Sequence, residues 1–402
     1  MIIAHKYRIY PYKSQITKME NHFSMLRHLY NWSLQERIDV YEKDGKSINY
    51  YDQANALTQL KIDRPWFKDV YSQVLQKQLK ILDQAFQNFF RGCKSGENIG
   101  FPKFLKKGEL TSMTYPQFNN KPKDGLITIP KIGKVKVVYH RDIPEESKIK
   151  TLTVKVEAGD KWFVCFSIEI DSPVEFKLTN HLDSIGIDMG LNDFIYDSDG
   201  NHIEAPKFFR KLEKKLSKLQ RRLANSKKFS KQWYKIKKAI SKVFYRIRCQ
   251  RNDFFHKLAN RLLSNVQVVC CEKLNIKNMT KRVKSKQDEQ TKQYLPNGQS
   301  AKSGLNKSIL DAGWGTFLTI LESKAIKFGK LVVKVPAAFT SQKCSSCGEI
   351  VKKSLSIRTH KCSSCGLVLN RDHNAAINIK TLGLKSLGIS PLEAHSKSFD
   401  LV

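Results

Sequence analysis

Four cysteines, Cys344, Cys347, Cys362 and Cys365, form two Cys-Ser-Ser-Cys pairs separated by 14 residues, and Asp372 follows seven residues later in Asn-Arg-Asp-His-Asn-Ala-Ala. Each pair is followed by a glycine, Gly348 or Gly366, which lets backbone N–H groups turn toward sulfur. Four thiolates fill the tetrahedral shell of Zn²⁺ and leave no open position, so the spacing predicts a structural zinc site rather than redox thiols. Two further acids stand at the ends of apolar runs: Asp188 in Ile185-Gly-Ile-Asp-Met-Gly190, and Glu272 after Val266-Gln-Val-Val-Cys-Cys271. Each acid alone reads as a turn former, a strand-end cap or a helix-start residue. Converging on one crevice, the three would hold Mg²⁺ or Mn²⁺, hard ions that take oxygen ligands. Phosphodiester hydrolysis with two ions about 4 Å apart needs such a set, and Gly190 would leave room for phosphate.

The elements that must position these residues follow from periodicity. Residues 2–10 alternate, with Ile3, His5, Tyr7 and Ile9 opposed to Lys6 and Arg8, as in a half-buried strand. Helical spacing runs from Ser14 to about Tyr41 and from about Val70 to Phe90, and residues 92–104 end that part. From about 110 to 170 the texture is β, with a hairpin across Glu157-Ala-Gly-Asp160. If the first strand pairs with these, residues 11–105 are a helical domain inserted into a β-barrel built from 1–10 and 106–180.

The remainder reads as an α/β nuclease domain, 181–340 and 369–382, interrupted by a zinc module at 341–368. Its order of strand, hairpin, long helical insertion, strand, helix, strand, helix is RNase H-like and puts all three acids at ligand positions. Residues 207–262 predict long helices broken at Asn225-Ser226, and 308–328 another helix. The polar stretch 277–306 reads as a mobile lid, a helix is expected from Asp372 to Ile379, and 383–402 reads as a disordered tail. Asp193, Asp197, Asp199 and Asp311 look like turn or surface acids, and His360 and His373 like surface or phosphate-facing residues. Cys165, Cys270 and Cys271 lie in apolar runs and read as buried thiols.

The chain has 402 residues, 71 Lys plus Arg against 37 Asp plus Glu, and a formal charge of +34. Such an imbalance calls for an anionic partner, and nucleic acid fits because phosphate contacts release condensed counterions. Between Lys207 and Arg251 there are 18 basic residues and one acid, Glu213, too one-sided for ion pairs along a helix. An anionic membrane is the competing partner, but no segment approaches the roughly 20 apolar residues of a span, and the N-terminus lacks a secretory apolar region. Nine cysteines, an odd number, argue against a disulfide framework and for a reducing cytoplasm.

Taken together, Ile185-Gly-Ile-Asp-Met-Gly-Leu191, Glu272 in Cys-Glu-Lys-Leu, Asp311-Ala-Gly-Trp-Gly-Thr-Phe317, the two cysteine pairs and Asn370-Arg-Asp-His-Asn-Ala-Ala-Ile-Asn378 resemble the TnpB family. These are transposon-encoded proteins related to type V CRISPR effectors. Asn88-Phe-Phe-Arg91 and Gly100-Phe-Pro-Lys-Phe104 extend the likeness over about residues 1–380. The resemblance implies a wedge β-barrel interrupted by a helical recognition domain, then a RuvC-like nuclease domain with a zinc-ribbon insertion that binds target nucleic acid. It implies a guide RNA from the transposon end and a double-stranded DNA target cut beside a short transposon-adjacent motif; the sequence itself leaves monomer or dimer open, with a monomer the expectation. Asp188, Glu272 and Asp372 match the family's catalytic trio, Arg358 an arginine assisting at the scissile phosphate, and Tyr50 and Gln76 residues that read the adjacent motif. The alternatives are a nuclease-inactive RNA-guided repressor, whose signature would be loss of the trio, and a compact CRISPR effector, which differs in guide source.

Overall fold

The computed structural model describes residues 1–145, 147–170, 176, 183–354 and 356–389. The chain divides into two units, Met1–Ser172 and Pro173–Val402.

The first unit opens with β1 (Ile2–Tyr10), then three helices, α1 (Lys13–Asp44), α2 (Tyr50–Asp63) and α3 (Ser72–Ser95). Strands β2 (Ser112–Pro116), β3 (Leu126–Ile129), β4 (Gly133–Val138), β5 (Lys148–Glu157) and β6 (Lys161–Glu169) follow. They form a six-stranded sheet in the order β2-β5-β6-β1-β4-β3. The period of two in β1 turns His5, Tyr7 and Ile9 inward, and the strand pairs antiparallel with both β4 and β6. The Tyr115 hydroxyl on β2 donates to the Pro130 carbonyl just past β3, 3.3 Å away, so the two outer strands approach each other. Helices and sheet share one hydrophobic core, in which Phe23 of α1 stacks on Trp162 of β6 at 5.8 Å. Helix α2 has no counterpart in the sequence reading, although its start was written there: Asn49 Oδ1 accepts from Tyr51 N, and Asp52 Oδ2 accepts from Asn49 N.

The second unit begins with β7 (Ser184–Asp188), β8 (Asp193–Asp197) and β9 (His202–Glu204), then the helical hairpin α4 (Phe208–Ala224) and α5 (Lys231–Asn265). Next come β10 (Val268–Glu272), the short α6 (Ile276–Met279), and a two-residue ladder of β11 (Lys286–Gln287) with β12 (Tyr294–Leu295). Helices α7 (Gln299–Ala312) and α8 (Trp314–Lys327) lead to β13 (Leu331–Val335), β14 (Thr359–Lys361), β15 (Val368–Asn370) and α9 (Arg371–Ser386). The central sheet runs β13-β10-β7-β8-β9; β8 is antiparallel to both β7 and β9, and β10 and β13 run parallel to β7. Along the chain the elements follow the foreseen order of strand, hairpin, helical insertion, strand, helix, strand, helix. The central strands are buried on both faces, which is why they read as unbroken apolar runs. Ile185, Ile187, Val269 and Cys271 pack with Phe255 of α5 and Phe317 of α8, while Val268 and Cys270 pack with Ile379 and Leu384 of α9.

Several expectations are corrected here. The helix foreseen over 308–328 is two helices, because Gly313 adopts φ +70° and breaks it. Part of the stretch foreseen as a mobile lid, 277–306, is ordered as the β11–β12 ladder and the first half of α7. Helix α9 continues to Ser386, and Leu384 and Ile389 are buried, so 383–389 is folded; the rest of the expected tail, 390–402, lies outside the described residues. No helix among the described residues is long and apolar enough to cross a membrane.

Asp311 is not a surface acid. It is buried and caps another helix: its carboxylate accepts from Phe209 N at 2.9 Å and Arg210 N at 3.1 Å, and pairs with Arg251 Nη2 at 3.0 Å. Lys207 at the start of α4 supplies no side-chain cap, so α7 provides one. Asp311→Ala would leave those N–H groups and a partly buried guanidinium unmatched, a loss of about 2–4 kcal/mol. The denaturation midpoint should fall accordingly, and an unchanged midpoint would show that water replaces the carboxylate.

Candidate active site and metal centres

Strands β7 and β10 are parallel and in register, with Ile187 opposite Cys271, so Asp188 and Glu272 leave adjacent strands at the same level. Helix α9 brings Asp372 to them. Its N-cap Asn370 accepts from Asp372 N at 2.8 Å, and the helix lies directly on β7. Gly186 permits this approach: a Cβ there would stand 2.1 Å from the Ala376 carbonyl oxygen. Gly190 has a local role instead of the expected space for phosphate, since its Cβ would lie 2.7 Å from the Asp193 carbonyl oxygen.

The three acids feel one another. Burial, then the charges of Glu272 and Asp372, push the Asp188 carboxyl up to about 8, partly offset by Arg371 and Arg358. Burial also raises Glu272, against a hydrogen bond from Thr340. Asp372 is held by two arginines, Arg358 Nη2 at 2.7 Å and Arg371 Nε at 3.2 Å. The Arg358 guanidinium therefore sits on a candidate metal ligand, and the Arg358 carbonyl accepts from Arg371 N at 2.7 Å. Hard oxygen donors whose charges reach one another at a buried position fit a divalent cation such as Mg²⁺.

Among the described residues, Cys344, Cys347, Cys362 and Cys365 form a group whose sulfur atoms all lie within 4.8 Å of one another. The Cys344–Cys365 and Cys347–Cys362 separations are 3.6 Å, close to the edge of about 3.8 Å in a tetrahedron with Zn–S bonds of about 2.3 Å. The backbone N–H of Cys365 foremost brings the Cys362 thiol down to about 7, whereas Cys347, against a backbone hydrogen bond at Glu349, is pushed up to about 12 by burial and the neighbouring thiols. The geometry fits zinc.

Residues missed in the sequence tie the two centres together. Thr340 Oγ1 lies 2.6 Å from Glu272 Oε1 and 3.2 Å from the Ala337 carbonyl oxygen. Asn378 Nδ2 donates to the Thr340 and Lys343 carbonyls at 2.9 and 2.7 Å. Asn374 donates to the Lys343 carbonyl at 2.8 Å and accepts from Ser345 N at 2.9 Å. These asparagines, four apart on α9, grip the backbone on both sides of Cys344. Their spacing was the available signal; Thr340 carried none. Thr340→Val should slow any reaction at this site about 10–100-fold by freeing Glu272, with Thr340→Ser restoring the rate. A fully active valine variant would remove Thr340 from the site.

His360 is not a surface residue, and His373 is half-buried. His360 is fully buried with Nδ1 2.5 Å from Lys353 Nζ, and His373 stacks on Tyr196 at 5.6 Å with Nε2 3.2 Å from the Ser198 carbonyl. Cys270 and Cys271 are fully buried, and Cys165 is partly exposed. In the first unit, Tyr50 lines a cleft with Tyr41, Tyr51 and Phe90, its ring 5.2 Å from that of Tyr51, and Gln76 is exposed on α3.

Comparison with known proteins adds the following. Residues 314–379 match the family model "Cas12f1-like, TNB domain", residues 166–283 match "Probable transposase", and residues 1–46, here β1 and α1, match "Helix-turn-helix domain". InsQ of Escherichia coli (strain K12), provisionally named an RNA-guided DNA endonuclease, is 33% identical over 384 residues, covering 94% of this chain and 92% of that protein. A Streptomyces pristinaespiralis protein with the same provisional name is 30% identical over 405 residues, covering 98% and 94%. A cryo-EM structure of a Cas12f1-sgRNA-target DNA complex aligns with TM-score 0.51 at 15% identity, over 91% of this chain and 82% of that one, a likeness of fold.

Proposed function

This chain belongs to the TnpB family, and on that premise we propose that it is a transposon-encoded, RNA-guided DNA endonuclease acting through Asp188, Glu272 and Asp372. The observation that carries the reading is the convergence of these acids, two from parallel strand ends and one from the first turn of α9, at a cost that the Asp188 carboxyl registers. Mg²⁺ or Mn²⁺ bound there supplies activation of the attacking water and stabilisation of the leaving oxygen.

The chain's own residues set up that chemistry. Asp188, whose carboxyl feels both Glu272 and Asp372, is the proposed shared ligand, with Glu272 and Asp372 completing the set. Thr340 orients Glu272 by hydrogen bonding, and the Asn374–Asn378 grip fixes the zinc module to the helix that carries Asp372. Arg358 neutralises Asp372 at rest, and its guanidinium is the proposed partner of the scissile phosphate. The zinc module and flanking segments form a RuvC-like nuclease domain with a zinc-ribbon insertion, and the first unit forms a wedge barrel with a helical recognition part.

Guide RNA from the transposon end would select double-stranded DNA by base pairing, leaving the protein to read a short adjacent motif and the heteroduplex shape. Tyr50 and Gln76 are the proposed motif readers; a glutamine amide can address adenine bidentately in the major groove. The protein acts as a monomer in the cytoplasm. The reading is tested by purifying the protein from cells carrying its native flanking DNA and sequencing the bound RNA. One discrete RNA from the transposon end is the expected result, and a heterogeneous mixture of cellular RNA would overturn the guided reading.

A further inference from the structure

The turn between α4 and α5 carries three aromatic rings that the proposed chemistry does not use. Phe229 is 74% exposed and Tyr234 54% exposed, with Trp233 between them. The Phe229 and Trp233 ring centroids are 5.6 Å apart, those of Trp233 and Tyr234 5.1 Å, and Lys237 Nζ lies 4.9 Å from the Trp233 centroid. The turn is held by local hydrogen bonds. Ser230 N donates to the Lys227 carbonyl at 3.2 Å, and Ser230 Oγ accepts from Trp233 N at 3.1 Å. Phe229 has φ +67°, a left-handed conformation that a bulky residue adopts only against resistance. A polar residue or glycine would suit an exposed turn of this shape at less strain, so the ring itself calls for a reason.

Charge names the occupant. The hairpin from Lys207 to Arg251 carries 18 basic residues and one acid. A second copy of this face would meet it with like charge, whereas phosphate complements it. Exposed aromatic faces within a basic surface are what unpaired bases stack on; a duplex keeps its base faces inside. An apolar cluster left bare in the resting protein promotes aggregation, which favours a resident partner over a DNA target met only in passing.

We propose that Phe229, Trp233 and Tyr234 form a stacking platform for unpaired bases of the RNA that the protein carries. This rests on the RNA-guided reading above. The test measures binding of the full-length protein, without guide, to an unstructured oligouridylate, to an RNA duplex and to oligothymidylate, across a salt series, for wild type and Phe229→Ala/Trp233→Ala. Each stacked base is worth a loss of about tenfold, so the double variant should bind oligouridylate at least about tenfold more weakly. Its salt slope should be unchanged, as should duplex binding, because phosphate contacts remain. Phe229 is exposed and Trp233 half-buried, and neither belongs to a buried core cluster, so thermal melting should stay close to wild type.

Undiminished oligouridylate binding, or an equal loss on the duplex, would overturn the proposal. A loss confined to oligothymidylate would assign the platform to DNA and also overturn it. Anionic vesicles are a further probe: vesicle binding lost with the rings while oligouridylate binding stays would make the patch a membrane contact. Guided cleavage by the wild type is measured in parallel. Its presence beside undiminished oligouridylate binding by the double variant defeats the platform alone, and its absence defeats the nuclease reading separately.

Discussion

Asp188→Asn is expected to abolish cleavage and, at the same time, to stabilise the metal-free protein at alkaline pH. The first effect follows from losing a charged ligand at the centre of the cluster; about 4 kcal/mol of transition-state stabilisation is about 10³-fold in rate. The second follows from linkage. The carboxyl is pushed up from 3.8 to about 8 in the folded state, so the protonated form is the one the fold favours. That contribution is fully present below pH 3.8 and is lost as pH rises through about 8. One pKa unit corresponds to about 1.4 kcal/mol, and even half the shift amounts to a loss of about 3 kcal/mol across that window. Asparagine mimics the neutral carboxyl and does not titrate. Metal-free wild type should therefore melt progressively lower than the variant from pH 4 to pH 8, and Mg²⁺ should raise the melting temperature of wild type more. Parallel melting curves at every pH would show that the acids are too far apart, or too well solvated, to act as one site.

Gly186→Ala is expected to damage activity almost as severely from a position that touches no substrate. The added methyl would stand 2.1 Å from the Ala376 carbonyl oxygen and 2.7 Å from the Lys380 nitrogen, both backbone atoms of α9. Neither can rotate away, so the helix must lift from β7, and Asp372 moves with it. A displacement of about 1 Å at a catalytic group costs about 10²-fold in rate, and overpacking of this kind costs about 1–3 kcal/mol or more in stability. Single-turnover cleavage and chemical denaturation measure the two effects. An alanine variant cutting at the wild-type rate would mean that the position of α9 on the sheet does not set the position of Asp372.

The site was legible because its parts carry local signatures. Asp188 and Glu272 close apolar runs that only a doubly covered strand needs, and the cysteine pairs carry their own spacing. The order of elements along the chain followed from alternating strand and helix texture, and the order of strands in the sheet did not. What stayed hidden was set by distant partners. Asp311 looked like any loop acid because its partners, Phe209, Arg210 and Arg251, lie 60 residues or more away. Thr340 is an ordinary hydroxyl in a polar segment until the fold puts Glu272 2.6 Å from it. Arg358 was read as a phosphate contact, and its pairing with Asp372 depends on how the module folds back through β14 and β15. Helix α2 was missed for another reason: its capping signal at Asn49 and Asp52 was present, but its apolar positions are few.

The central claim is that an RNA held by this chain tells its carboxylate cluster where to cut. The most direct measurement replaces the target-specifying segment of that RNA and maps the cut on plasmid DNA in Mg²⁺, with Asp188→Asn alongside. The expected result is a cut that moves to the new matching sequence, disappears with chelator, and is absent in Asp188→Asn although RNA binding is retained. A cut that stays in place when the RNA changes, or that survives the loss of Asp188, would contradict it.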